Sequence, residues 1–131
     1  MKENSAAQAV RPDGGVPMVR PETRRRVTPA VDVYETADSY VLMVDLPGAP
    51  KEAINLTLEA GTLTVRAEPE PYHTPEARLI FRELATPVYE RSFTIGDGVD
   101  QAAVDARFED GVLTVKLFKK EERKPREIAI R

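Results

Sequence analysis

The chain has 131 residues, 41% of them hydrophobic and 31% charged, with a net charge of −3 and no cysteine. That composition suits one domain with a single core and excludes disulfides, thiolate catalysis and cysteine-ligated zinc. No apolar run approaches the ~18 residues of a membrane span, and the opening MKENSAAQAVRPDGG lacks the apolar stretch of a secretory signal, so a cytoplasmic location is expected.

Residues 1–29 contain four prolines, a Gly-Gly pair and no aromatic residue, and show no apolar period. They read as a flexible N-terminal arm. The arm carries six basic and three acidic side chains, so the rest of the chain is strongly acidic. An acidic body speaks against nucleic acid as a partner, because that affinity depends on neutralising phosphates.

From Val31 onward the pattern alternates as strands do. VDVYE (31–35) places Val31 and Val33 on one face, and SYVLMVDLPG (39–48) places Tyr40, Leu42, Val44 and Leu46 together before Pro47-Gly48 ends it. INLTLE (54–59) aligns Ile54, Leu56 and Leu58, and TLTVRAE (62–68) aligns Leu63, Val65 and Ala67. PEPYHTPEA (69–77) is a proline-rich loop, and RLIFREL (78–84) is a short strand within a long excursion. VYERSFTI (88–95), AAVDARF (102–108) and VLTVKLF (112–118) complete the set, with one helical turn expected within 98–106. Many short strands and no long helix predict an all-β, immunoglobulin-like β-sandwich.

INLTLEAGTLTV (54–65) and VDARFEDGVLTV (104–115) share Glu, Gly, Leu, Thr and Val in step, with Gly61 and Gly111 fifty positions apart. Two copies are too few for a solenoid. Each reads as a hairpin whose glycine supplies a positive φ at the turn.

ARFEDGVLTVKL resembles the A-x-x-x-x-G-V-L signature of the small heat shock proteins, the α-crystallin domain family, with Ala106, Gly111, Val112 and Leu113 in its places. The Leu46-Pro47-Gly48 turn, YERSFTI and the terminal IAI (Ile128, Ala129, Ile130) resemble further family segments in the same order, over about residues 31–131. The resemblance is to the bacterial type. It implies an α-crystallin domain over residues 30–119, framed by the arm and a C-terminal tail over 120–131. It also implies an ATP-independent holdase that captures partly unfolded client proteins during stress and has no cofactor. The same resemblance implies a homodimer formed by swapping the loop strand, with Leu79, Ile80, Phe81 and Arg91 at the interface, and assembly into a larger homo-oligomer. The tail anchors Ile128 and Ile130 are implied to dock in a groove between strands 54–58 and 102–107, lined by Leu56, Leu58 and Ala103. Two departures stand out. Ile95-Gly96 replaces the family's Leu-Pro, and the arm lacks the family's phenylalanines, which predicts weak client capture by the arm and speaks against a large oligomer stapled by it.

Ile128 and Ile130 point to one side of an extended tail, and Pro125 favours that extension. The flanks Tyr89 and Phe93 set Arg91 opposite a core face. His73, the single histidine, is read as a surface loop residue, since a metal site needs several ligands together and no G-x-S-x-G elbow accompanies it. TRRRV (23–27) and KKEERK (119–124) read as solvated charge runs. No catalytic constellation is present, so the chain is not read as an enzyme. A CS-type adaptor module of a larger chaperone is the alternative function.

Overall fold

A computed structural model describes residues 24–131. Among these, eight strands form two four-stranded sheets. The strands are β1 (Arg24–Val27), β2 (Val31–Glu35), β3 (Ser39–Asp45), β4 (Ile54–Glu59), β5 (Thr62–Ala67), β6 (Thr86–Thr94), β7 (Val99–Glu109) and β8 (Val112–Lys119). One sheet runs β1-β6-β5-β4 and the other β2-β3-β8-β7. The all-β sandwich is as the sequence predicts.

The period-two pattern explains the core. Leu63, Val65 and Ala67 of β5 are buried, as are Leu42 and Val44 of β3 and Leu113, Val115 and Leu117 of β8. These inward faces stack between the sheets. Each of the buried leucines and valines contributes about 1.5–3 kcal/mol on burial.

The repeated hairpins share one turn. Ala60-Gly61 joins β4 to β5 and Asp110-Gly111 joins β7 to β8. Both residues of each pair have positive φ (51° and 79°, 53° and 78°), the type I′ geometry that matches strand twist. Each turn glycine also accepts a bond from the rest of the fold: Ile95 N–H to Gly61 O at 2.7 Å, and Leu46 N–H to Gly111 O at 2.8 Å. One turn chemistry is therefore used twice, each time as a fixing point.

Three expectations are corrected. Arg24–Val27, assigned to the arm, forms β1 and pairs parallel to Thr86–Tyr89; the arm's residues 1–23 lie outside the described residues. Residues 78–84 form no strand and pair with none of the edge strands of their own chain. The helical turn expected within 98–106 is instead the first half of β7, whose register shifts between Val99 and Val104. A bulge, not a helix, breaks the alternation there.

Candidate functional site

Each sheet ends in an edge strand: β1 and β4 in one, β2 and β7 in the other. A cavity of about 470 Å³ is lined by Val33 of β2, Tyr40 and Leu42 of β3, and Phe93 of β6, so β2 and β3 lie over β6. β4 and β7 are the remaining edge strands of the two sheets.

Register identifies what lines the β4/β7 edge. Ile54, Leu56 and Leu58 pair with buried Ala67, Val65 and Leu63, and therefore face inward. On β7, Val104, Ala106 and Phe108 pair with buried Leu117, Val115 and Leu113. Ile54, Leu56, Leu58, Val104 and Phe108 pack on the core but remain half-buried. Ala106, between Val104 and Phe108, is exposed despite its inward position. Val104 and Phe108 flank this small side chain as half-buried apolar residues of the edge strand. Leu56 and Leu58, expected to line the tail groove, are half-buried on the inward side of the edge strand β4. Ala103 falls in the irregular stretch of β7, and the residue in core register is its neighbour Val104. The alternation of β7 seen against β8 carries that signal; the sequence of β7 alone does not. Of the signature residues, Gly111 forms the turn, Leu113 is buried and Val112 is half-buried on the outer face.

At the opposite edge, β2 has no strand on its outer side among the described residues, with Val33 56% and Tyr34 54% exposed. The excursion between β5 and β6 presents Ile80 and Phe81, both about half exposed, while Leu79 is half-buried. Leu79 and Phe81 line a second cavity with Pro69 and Pro87.

Arg91 does not lie opposite the core face. It pairs with buried Val65 and, two residues from Tyr89 and Phe93, shares their inward side. Its Nη1 donates to the Pro29 carbonyl at 3.0 Å, and its guanidinium sits 5.4 Å from the Phe93 ring centroid. The side chain thus ties β6 to the crossover between β1 and β2.

The tail leaves β8 through a fixed joint. Lys120 N–H donates to Gly98 O at 2.7 Å, and Glu121–Arg123 form a single 3₁₀ turn. Arg123 packs so closely over Gly98 that a Cβ there would lie 3.0 Å from its Cγ. Beyond the joint, Ile128 and Ile130 are 79% and 95% exposed. His73 is exposed in its loop.

Residues 32–131 match the Hsp20/alpha crystallin family. The chain belongs to this family. The match runs through the tail, which sets the CS-type adaptor reading aside. Among relatives, the chain is 34% identical over 101 residues to the 18 kDa heat shock protein of Streptomyces albus, covering 76% of this chain and 71% of that one. It is 33% identical over 108 residues to 18 kDa antigen 2 of Mycobacterium avium, covering 82% and 78%. Among solved structures, heat shock protein 16.0 of Schizosaccharomyces pombe superposes with a TM-score of 0.62 at 30% identity, covering 80% of this chain and 99% of that one. A small heat-shock protein of Xylella fastidiosa gives 0.62 at 25% identity, covering 82% and 99%. Family membership supports a chaperone role for the chain. No helix of the described residues is long and apolar enough to cross a membrane.

Proposed function

We propose that this protein is an ATP-independent holdase that binds partly unfolded proteins and prevents their aggregation. The reading is supported by half-buried apolar side chains along the edge strands β4 and β7, taken here to frame a groove, and by the solvent-exposed Ile128 and Ile130 at the end of the same chain. The groove takes the isoleucine pair of a neighbouring subunit's tail, and an apolar client segment competes for it.

Burying two isoleucines contributes about 3–6 kcal/mol at most. Ordering them costs about 0.5–1.5 kcal/mol each, in addition to the entropy of association. One tail therefore docks weakly, near the millimolar range, and several tails in an assembly hold by avidity. Warming releases the groove when clients begin to unfold. Homodimers form when residues 78–83 of one copy pair along the open β2 edge of another, with Ile80 and Phe81 covering Val33 beside Phe93. Arg91 supports that interface from behind by fixing the approach to β2.

The test is light scattering from a heat-labile client warmed without ATP. Suppression at near-stoichiometric amounts is expected. Undiminished scattering from a mixture in which this protein stays folded overturns the reading.

A further inference from the structure

The outer faces of the two sheets are built differently. On the β1-β6-β5-β4 face the polar groups engage one another. Arg66 pairs with Glu68 and, at 2.8 Å, with Glu90; Arg26 reaches Glu90 at 3.4 Å; and Thr64 bonds Ser92 at 3.1 Å.

The outer face of β2-β3-β8-β7 has an apolar floor instead. Tyr34 pairs across the strands with Val41, and Met43 and Val112 complete a stripe in which Tyr34 and Met43 are 54% and 38% exposed. Two shallow depressions of about 480 and 200 Å³ meet at Met43 and Val112. Around this floor stand Asp32, Asp45, Asp105, Glu109 and Asp110, against Arg107 and Lys116. Among the described residues none of the five carboxylates forms an ion pair.

Asp45, Val112 and Glu109 occupy one row across β3, β8 and β7. Two carboxylates thus bracket an apolar side chain at about two strand spacings, or ~10 Å, the length of three residues of extended chain. A second copy of this acidic body is repelled by such a surface. A cationic segment is drawn to it.

We infer that this face is a second client surface, which takes extended, partly unfolded segments carrying lysine or arginine beside apolar side chains. The inference rests on the chaperone reading above and names a class of client for it. The apolar floor supplies contact, and the unpaired carboxylates supply the selection among clients.

The test uses the full-length protein and two fluorescently labelled peptides with the same leucines and valines, one flanked by lysines and its twin by glutamates. By anisotropy at low salt, the lysine peptide is expected to bind about tenfold tighter, as two exposed charge pairs allow. That ratio shrinks in high salt. It collapses in the double variant Asp105→Lys, Glu109→Lys, whereas Met43→Ser weakens both peptides and keeps the ratio. Thermal melts of the variants show that each folds. Equal binding of the twins overturns the inference, as does a preference that survives the charge reversal, or binding that falls with protein concentration because copies cover the face. Suppression of client scattering with equal twins removes this inference alone. Selective peptide binding without suppression removes the chaperone reading alone.

Discussion

The ammonium of Lys119 lies 2.7 Å from Glu35 Oε2 and 2.9 Å from the Thr36 carbonyl, with the Tyr40 ring centroid 5.1 Å away. The lysine side chain is only 9% exposed, whereas Glu35 is 59% exposed. The end of β8 thereby clasps the end of β2, the edge proposed above for dimer exchange. The hydrogen bond from Lys119, and then its charge, hold the Glu35 carboxyl below its usual range, while the Thr36 hydroxyl does the same for Asp38 in the adjoining turn.

A carboxyl whose pKa is depressed by folding stabilises the fold above its unfolded value and loses that contribution as pH falls through the folded one. Stability is therefore expected to drop with acidification below about pH 4, with part of the slope removed in Glu35→Gln. Thermal melts across that range measure it. An unchanged acid slope in the variant contradicts the clasp. Lys119→Met, which keeps the apolar stem, is expected to lower the melting temperature by a few degrees.

Ala60 sits at a position that favours asparagine or glycine. Its φ of 51° matches that of Asp110 in the sister turn, and an L-residue without a local side-chain bond pays for it in strain. Ala60→Asn is expected to stabilise the fold by about 0.5–1 kcal/mol. Gly111→Ala has the opposite sign. Space for a Cβ exists, 3.7 Å from the Pro47 Cα, so its cost of about 1–2 kcal/mol is conformational rather than steric. Chemical denaturation of both variants checks the pair of signs.

Much of the fold is legible in the sequence. β2 and β4 match their readings residue for residue, because their apolar positions alternate with polar ones and turn residues close each strand. β1 is not legible, since RRRV has one apolar residue and owes its conformation to parallel pairing with the distant β6. The 78–84 segment has strand composition without a strand partner in its own chain, and composition alone does not report pairing. The inward side of Leu56 and Leu58 is legible because β4 is regular, whereas the register shift in β7 hides that Val104, and not Ala103, is in core register. Arg91 misleads because a cation between two aromatics at period two suggests a surface, when its partners are the Pro29 carbonyl and the Phe93 ring.

Arg91→Ala removes the donor to Pro29 O and is expected to destabilise the fold by about 1–3 kcal/mol. It also loosens the approach to β2. Arg91→Lys keeps the charge but not the planar fork, so it recovers only part of the loss. Melting temperature and the dimer dissociation constant report the two effects separately. Wild-type behaviour of Arg91→Ala in both contradicts its assigned place.

Replacing Ile128 and Ile130 together with serine removes the tail's apolar side chains without touching the sandwich, since both are exposed in the single chain. Assemblies above the dimer are expected to shrink while the melting temperature holds. Multi-angle light scattering decides it, and an unchanged mass counts against tail docking.

The central claim is that one groove serves both the chain's own tail and its clients. A heat-labile client is warmed with a stoichiometric amount of this protein, without ATP, in the presence and absence of excess free peptide matching residues 124–131. The account predicts protection without the peptide and reduced protection with it, at peptide concentrations near the millimolar affinity of one tail. Protection that the peptide leaves untouched, or no protection from a protein that remains folded, contradicts it.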